Sequence, residues 1–485
     1  MTWQRVPLKV PPGVVRGGSP LASQGRWYDS HLVRWRDGVM QPVGGWEAKS
    51  AGVDAEPIDA YSWVGRSGEP WSAFGTGTRL YMFTDPGVSS RVTAGSFTGV
   101  IFGGTDHRHG ESLSLDNWGG DLVGRIPGTG TPFTVDTSAA SPTSKALTAP
   151  PAAGVVATPE RYLVVFGLQG APNRVHWSAQ ADLSVWDATD PESGSGFLDV
   201  GIKGEMLAAK RARGETLIWT TAELLSMRWI SLPYIYRVDI VGEASCVSRR
   251  GMVVQGSAAY WMGRRNFWTY TGQVQRLACP VADYVFGGIN QAAAHRVWCE
   301  THDEFGEITW HYPSGASTTP DRYVTYNYEM GIWYFGALSR AAGFGSGVFA
   351  SAYAVGSDGT IYEHETGSSY DGVGLPYAVT GALDVTEGQQ TMMIDQIYPD
   401  RGTEGDLQFE LLASDSPRGP FDSVGKWTAS DRVDTRILAR HVQIRVEQPT
   451  DIEADPNMTP PVVGKTFGGW RYGVPRIRMQ PAGWR

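Results

Sequence analysis

Short runs of aromatic and β-branched residues, each ended by glycine, asparagine, aspartate or proline, dominate residues 214–362. Such runs fit a pleated, half-buried surface, and the residues that interrupt them supply the positive φ angles of tight hairpins. The runs recur at intervals of about 43 to 54 residues, near the length of one four-stranded propeller blade. These intervals are measured between Leu163, Leu217, Tyr260, Ile308 and Tyr353. The pattern predicts an all-β fold organised as a β-propeller.

The same pattern begins earlier in the chain. Trp71–Phe83 holds two runs joined by a glycine-rich turn, and Leu115–Val123 is a second, weaker candidate. They bring the predicted number of blades to six or seven, in a propeller domain spanning residues 51–376. Residues 128–158 are rich in small residues and proline without strong periodicity, so we predict a long surface excursion there.

After residue 376 apolar and polar residues alternate, as in H-V-Q-I-R-V at residues 441–446. Alternation is typical of antiparallel strands with one face in water. It predicts an additional C-terminal β-sandwich-like platform domain at residues 377–485. Only two short stretches, R-V-P-L-K-V (5–10) and S-A-Q-A-D-L-S-V-W (178–186), are helix candidates.

Residues 1–50 are predicted to form an extended N-terminal arm or edge strands, because proline and glycine repeatedly interrupt them. Within Gly25–Trp46, tryptophans and aliphatic residues alternate with arginines. Two interpretations stay open: an edge hairpin that closes the propeller ring, or an arm that grips a neighbouring subunit. Tryptophan and arginine are frequent interface anchors. The second interpretation selects four candidate inter-subunit residues: Arg26, Trp27, Arg34 and Trp35.

The composition indicates which binding partners are unfavourable and in which cellular compartment the chain is expected to fold. The net charge of −9 gives no bulk attraction for nucleic-acid phosphates. Cys246, Cys279 and Cys299 are an odd number without C-x-x-C spacing, so we expect reduced, buried thiols in a reducing compartment. No apolar run approaches the ~18–20 residues of a membrane span. The N-terminus lacks the apolar core of a signal peptide, so we expect neither an anchor nor an export signal.

Carboxylates are the first candidates for chemistry, since propeller glycosidases need two facing acids. Asp303, Glu304 and Glu307 are close in sequence, but adjacent strand residues point to opposite faces, which favours a solvated turn. Asp358–Gly359 is explained by a hairpin turn. The aromatic run Trp261–Tyr270 alternates as blade strands do, which favours core packing over sugar stacking.

Metal and cofactor patterns are also missing from the sequence. His107 and His109 lie two residues apart, but His31, His176 and His311 are scattered and complete no three-ligand spacing. No phosphate-binding loop, nucleophile elbow or dinucleotide fingerprint occurs. We therefore expect no catalytic residue, no metal and no cofactor.

Several segments, taken in order, resemble the tail nozzle (tail tubular protein B-like) subunits of short-tailed bacteriophages, the podoviruses. They are G-R-W-Y-D-S-H-L-V-R-W-R-D-G-V-M-Q-P-V-G-G-W (25–46), L-I-W-T-T-A-E-L-L-S-M-R-W (217–229), A-Y-W-M-G-R-R-N-F-W-T-Y-T-G-Q-V-Q-R-L (259–277), P-V-A-D-Y-V-F-G-G-I-N (280–290), R-Y-V-T-Y-N-Y-E-M-G-I-W-Y-F-G (322–336) and W-R-Y-G-V-P-R-I-R-M-Q-P (470–481). The resemblance covers most of the chain in order and is weakest over residues 90–158.

The resemblance implies a structural virion protein that is not an enzyme. It implies a homo-hexameric ring below the tail adaptor and portal, with tail fibres or spikes attached outside and DNA leaving through the lumen without sequence-specific binding. The location implied is the virion tail, after assembly in the host bacterial cytoplasm. The alternative function is a propeller-type glycan-binding or glycan-cleaving host-recognition protein.

Overall fold

The computed structural model describes residues 3–18, 20–77, 79–85, 92–96, 113–138, 142–190, 192–231, 234–370, 372–384, 389–428, 432–449 and 469–483. Most regular structure in these ranges is antiparallel β-sheet. The N-terminal strands are β1 (Gln4–Pro7), β2 (Trp27–His31), β3 (Val33–Arg36), β4 (Val39–Pro42) and β5 (Trp46–Gly52).

Successive four-stranded sheets then follow along the chain, each pairing strands that are neighbours in sequence. Blade 1 contains β6 (Pro57–Val64), β7 (Pro70–Thr76), β8 (Arg79–Phe83) and β9 (Val92–Ser96). Blade 2 contains β10 (Ser114–Trp118), β11 (Asp121–Arg125), β12 (Pro132–Val135) and β13 (Ser144–Ala146). Blade 3 contains β14 (Ala152–Ala157), β15 (Leu163–Leu168), β16 (Ala171–Trp177) and β17 (Gly196–Asp199). Blade 4 contains β18 (Met206–Ala212), β19 (Glu215–Thr220), β20 (Glu223–Trp229) and β21 (Tyr236–Glu243).

The remaining blades continue the same arrangement. Blade 5 contains β22 (Met252–Gln255), β23 (Ala258–Met262), β24 (Phe267–Tyr270) and β25 (Val274–Leu277). Blade 6 contains β26 (Trp298–His302), β27 (Glu307–Tyr312), β28 (Arg322–Asn327) and β29 (Ile332–Ala337). Blade 7 contains β30 (Ala342–Phe344), β31 (Tyr353–Val355), β32 (Thr360–His364) and, from the N-terminus, β5.

The innermost strand of each blade contacts that of the next, and the series closes between β30 and β6. The outermost strand of blade 7 is β5, whose Trp46 pairs with His364 of β32. A strand from the beginning of the chain thus completes the last blade. The prediction of a β-propeller is confirmed, and the ring has seven blades.

Blade strands are buried because each sheet packs between two others. Every residue of β11 and β27 is buried. The turns follow the sequence: Asp358–Gly359 joins β31 to β32 with Gly359 at φ +86°, and Asp37–Gly38 joins β3 to β4 with both φ angles positive. The aromatic run of blade 5 contributes Trp261 and Phe267 to the core, as predicted.

The C-terminal residues form two packed sheets and a separate two-stranded sheet. Their strands are β33 (Tyr377–Thr380), β34 (Leu383–Asp384), β35 (Thr391–Tyr398), β36 (Glu404–Gly405), β37 (Gln408–Ser414), β38 (Asp422–Thr428), β39 (Val433–Ala439), β40 (His441–Glu447), β41 (Trp470–Arg471) and β42 (Arg476–Gly483). One packed sheet has the order β2-β33-β40-β37-β38, with β34 also paired to β40, and the other has the order β1-β42-β35-β39. The strands β36 and β41 pair only with each other. The N-terminal strands β1 and β2 therefore belong to this sandwich.

One apolar core joins the sandwich to the propeller. It includes Ile394 and Phe409 from the two sandwich sheets, Trp310 and Trp333 from blade 6, and Trp35 from the hairpin β3–β4. Because the core is continuous, burial of apolar surface connects the two parts of the chain.

Helix is scarce among the described residues. The α-helix α1 (Ala282–Gly288) and three 3₁₀ segments, Pro20–Ser23, Gln291–Arg296 and Asp303–Phe305, are present. Both helix candidates were wrong. Residues 5–10 begin in β1, and residues 178–186 contain a turn in which Asp182 Oδ1 accepts from the Ser184 N–H at 2.8 Å, an alternative to helical hydrogen bonding.

The predicted surface excursion at 128–158 is wrong. These residues include β12, β13 and β14, and most of β14 is buried as the innermost strand of blade 3. A strand covered on both faces shows no polar alternation. Small residues are required there: a Cβ on Gly154 would stand 2.3 Å from the Phe166 ring. The other boundaries shift as well, since β5 belongs to the propeller and β1 and β2 to the sandwich.

Candidate functional site

The hairpin β3–β4 inserts one arginine between blades 6 and 7. Arg34 is 3% exposed, and its guanidinium binds two carboxylates. Its Nε and Nη2 donate to Glu307 at 2.9 and 3.0 Å, and its Nη1 and Nη2 donate to Glu365 at 2.9 and 2.6 Å. Glu307 begins β27 and Glu365 follows β32. The Arg34 guanidinium thus links the N-terminal hairpin to two blades through ion pairs.

Neighbouring groups complete this buried network. The Gly44 N–H donates to Glu365 at 2.9 Å, and the Tyr334 hydroxyl donates to Glu307. Burial acts to lower the pKa of Arg34, but the two carboxylates outweigh it and raise that pKa. Burial acts to raise the pKa of Glu365, but Arg34 outweighs it and lowers that pKa. Arg34 and Glu365 are therefore held in their charged forms.

A glutamate–histidine cluster lies beside this network. Glu300 is 3.4 Å from His302 and 3.1 Å from His311, whose ring stacks on Trp298 at 4.0 Å between centroids. The nearby Glu300 raises the pKa of His302 against the opposing effect of burial, whereas burial lowers the pKa of His311. A cavity of about 50 Å³ separates this cluster from the Arg34 network, enough for a few water molecules.

The structure gives three of the four predicted inter-subunit residues an intramolecular role. Trp27 is 1% exposed and Trp35 2%, and both belong to the core that joins propeller and sandwich. Arg34 already has two carboxylate partners within the chain. Their burial leaves no side-chain surface for a neighbouring subunit, so their assignment as interface anchors is corrected. Arg26 is partly exposed and its assignment stays a prediction.

The predicted solvated turn at residues 303–307 is correct only in part. Asp303 and Glu304 are exposed in a 3₁₀ segment, but Glu307 is 2% exposed and bound to Arg34. Glu307 starts a strand enclosed between blades, and a carboxylate buried there requires a cationic partner.

The metal candidates find no support in the described ranges. His107 and His109 lie outside the described residues. Within the described part of the chain, no group of three histidines, cysteines or acids is placed to hold a metal ion. The three cysteines there are free thiols, and burial raises the pKa of Cys246 and of Cys279 to about 12.

An axial cavity of about 350 Å³ lies where the innermost strands of six blades converge. Its lining includes seven ionisable side chains of opposite signs: Asp59, Asp116, Lys210, Arg211, Arg249, Arg250 and Glu300. Sequence reasoning missed this set. The available signal was position: five of the seven lie about six to eleven residues before Leu217, Tyr260 or Ile308, the positions that mark the repeat. This spacing places them on the strand that a propeller turns toward its axis.

Two ion pairs form among the charged side chains of this cavity. Arg250 Nε lies 2.6 Å from Asp59 Oδ1, and Arg211 Nη2 lies 2.8 Å from Asp116 Oδ1. Burial raises the pKa of Asp59 and lowers the pKa of Arg250 despite their pairing. A buried acid with a raised pKa facing a cavity is a feature of sites that handle protons or ligands.

Exposed apolar side chains concentrate on one hairpin. Of the nine large hydrophobic residues that are exposed in the described ranges, four lie on β20–β21 or its tip: Trp229, Ile230, Tyr234 and Ile240. Tyr234 is 77% exposed. We call Trp229, Ile230 and Tyr234 the blade-4 tip.

The blade-4 tip is bordered by internally paired charges. Arg228 donates to Glu215 at 3.0 Å, and Arg237 donates to Asp239 at 2.9 Å. An apolar centre with a polar rim is typical of protein–protein interfaces. Two further exposed apolar side chains, Val424 and Leu438, lie on β38 and β39, which are edge strands of the two sandwich sheets.

Comparison with known proteins gives only distant structural similarities. No family model and no curated protein matches the chain. Among solved structures, BamB from Moraxella catarrhalis matches 69% of this chain and 93% of its own, at 10% identity and a TM-score of 0.38. A putative exported protein from Bacteroides fragilis NCTC 9343 matches 53% of this chain and 89% of its own, at 9% identity and a TM-score of 0.32.

Both similarities are weak, and the propeller fold follows from the strand pairing within this chain. None of the helices in the described ranges has the length and apolar character that crossing a membrane requires.

Proposed function

We propose that the chain is a structural subunit of a ring-shaped tail nozzle of a short-tailed bacteriophage. In this role it encloses the channel through which DNA leaves, below the adaptor and portal, and offers an outer surface to tail fibres or spikes. The proposal starts from the sequence resemblance. The structural observation that carries it is that apolar side chains are exposed in two different places, at the blade-4 tip and on the edge strands of the sandwich.

Two different surfaces favour a ring over a two-fold dimer. A two-fold contact uses the same patch on both partners, whereas a head-to-tail contact joins unlike patches and closes into a ring when the rotation permits. The blade-4 tip of one copy, set against the sandwich edge of the next, meets this requirement. Burial of exposed tryptophan and tyrosine supplies the strongest contacts of such interfaces.

The charge and the internal construction agree with a mechanical role. A net charge of −9 disfavours tight phosphate binding in a channel that DNA must traverse. The N-terminal segment is built into both the propeller and the sandwich through β5, β2 and β1. Pulling the parts of the chain away from each other would require breaking these sheets.

Size-exclusion chromatography with light scattering tests the proposal. The nozzle proposal expects a species of six times the 52.7 kDa chain mass, without activity on any glycan. A monomer under all assembly conditions contradicts it.

The axial cavity favours one second candidate, a glycan-binding or glycan-cleaving protein. Its acids and arginines converge on the propeller axis, and Asp59 has a raised pKa. This candidate expects a 52.7 kDa species that binds or depolymerises host capsule. The same chromatography run, followed by a capsule-depolymerisation assay, separates the two.

A further inference from the structure

The axial cavity holds a surplus of positive charge. Four cationic side chains line it, Lys210, Arg211, Arg249 and Arg250, against the three acids Asp59, Asp116 and Glu300. Each acid already has a cationic or histidine partner, Glu300 through His302 and His311.

Lys210 differs from the other cations of the cavity. Its Nζ lies 5.9 Å from the centroid of the Tyr61 ring, and no described carboxylate lies within ion-pair distance of it. Arg211, the next residue, donates to both Asp116 and Asn117. An ammonium group in a cavity walled by protein interacts with an anion more strongly than one in open water, because the local dielectric constant is lower.

The walls around Lys210 offer both polar and apolar contacts. The Tyr61 hydroxyl donates to Asp116 at 3.0 Å, which fixes the ring beside the ammonium group. Leu113 and Phe344 supply apolar lining, and Ser62 supplies a hydroxyl. The volume of about 350 Å³ exceeds what an inorganic ion needs and falls in the range of small-molecule sites.

We propose that the axial cavity binds a small organic acid of about the size of a sugar acid, with its carboxylate on Lys210 and its body against the Tyr61 ring. Arg211 lies on the same strand and adds positive potential, while its own hydrogen bonds hold the wall in place. The proposal does not depend on ring assembly, because the cavity lies within one chain.

Isothermal titration calorimetry with glucuronate, N-acetylneuraminate and citrate tests this site, with glucose as the neutral comparison. At least one acid should bind one-to-one, more weakly as salt is raised. Lys210→Met should weaken that binding at least about tenfold, the value of one charge-assisted hydrogen bond. Lys210→Arg should retain it.

Lys203→Met is the matched control, since Lys203 is an exposed lysine already paired with Glu243. It should leave binding unchanged. If Lys210→Met does not fold, Lys210→Gln takes its place. Three results would contradict the proposed site. They are absence of binding by all three acids, equal binding of glucose, and binding that survives the loss of the Lys210 charge. None of these outcomes bears on the mass of the assembly, so the two proposals fail separately.

Discussion

Single side chains decide how the N-terminal segment is attached. Arg34 is shared between Glu307 and Glu365, 273 and 331 residues away along the chain. A buried guanidinium with two carboxylates specifies one arrangement of hairpin and blades, because any displacement would leave charges without partners.

Replacing Arg34 by methionine should destabilise the protein by about 3–5 kcal/mol, since two buried carboxylates lose their counter-ion. Chemical denaturation followed by fluorescence measures the free energy of unfolding. Arg36→Met is the matched control, because Arg36 is partly exposed and 3.8 Å from the exposed Glu304. Equal effects of the two substitutions would show that the buried network does not hold the hairpin.

Another residue-scale prediction concerns pH. Arg340 Nε donates to His364 Nε2 at 3.0 Å, which requires a neutral imidazole there. Burial, with the Arg340 charge second, lowers the pKa of His364 well below its ordinary value of 6.5, although Glu300 acts in the opposite sense. Unfolded His364 takes up a proton below about pH 6.5 while the folded form does not, so stability falls as pH falls through that window.

His364→Gln should reduce this loss, because the glutamine amide oxygen accepts the same hydrogen bond and does not titrate. One proton of difference corresponds to at most about 1.4 kcal/mol per pH unit. The measurement is the free energy of unfolding at pH 7 and pH 5 for both proteins. An unchanged pH dependence would assign the acid sensitivity to other groups.

At the scale of elements, closure of blade 7 by β5 is the feature on which the propeller depends. The turn Asp358–Gly359 passes close to the end of β5, and the Val53 N–H donates to the Gly359 carbonyl at 3.0 Å. A Cβ on Gly359 would lie 2.1 Å from the Val53 carbonyl oxygen. The closing strand and this turn therefore fit together only with glycine.

Gly359→Ala should cost clearly more stability than Gly68→Ala. Both glycines have nearly the same positive φ, +86° and +88°, so both substitutions bear the conformational cost of about 1–2 kcal/mol. Only Gly359 adds a collision with backbone, whereas Gly68 has open space around it. Thermal denaturation compares the two, and equal losses would contradict a tight contact at the closure.

Local patterns in the sequence predicted many of these strands and turns but not all of them. Periodicity and turn residues predicted the blades from residue 163 onward, because aromatic runs and Asp–Gly turns act over a few neighbouring residues. The strand Ala152–Ala157 was missed, since burial on both faces removes alternation. The partners of Arg34 were also missed, because a contact over 273 residues leaves no local pattern.

The candidate sites were less predictable from the sequence than the strands. The blade-4 tip and Lys210 are distinguished only by the residues that surround them in the folded chain, and neither lies in a sequence motif. A tryptophan in the core, such as Trp35, and an exposed one, such as Trp229, look alike in sequence.

At the scale of the whole molecule, the account predicts an assembly held by apolar contacts. Trp229→Ser combined with Tyr234→Ser should leave a folded monomer, because the tip loses its two aromatic side chains. Val64→Ser is the matched control, since Val64 is 51% exposed on blade 1, away from the tip. Light scattering measures the mass and circular dichroism the fold. Assembly that survives the double substitution would remove the tip from the interface.

The most direct test of the central claim is electron microscopy of the purified protein. The account predicts ring-shaped particles with an axial opening, in which six copies repeat around the channel and each shows a propeller joined to a sandwich. Isolated single propellers at all concentrations, or particles without a central opening, would contradict it.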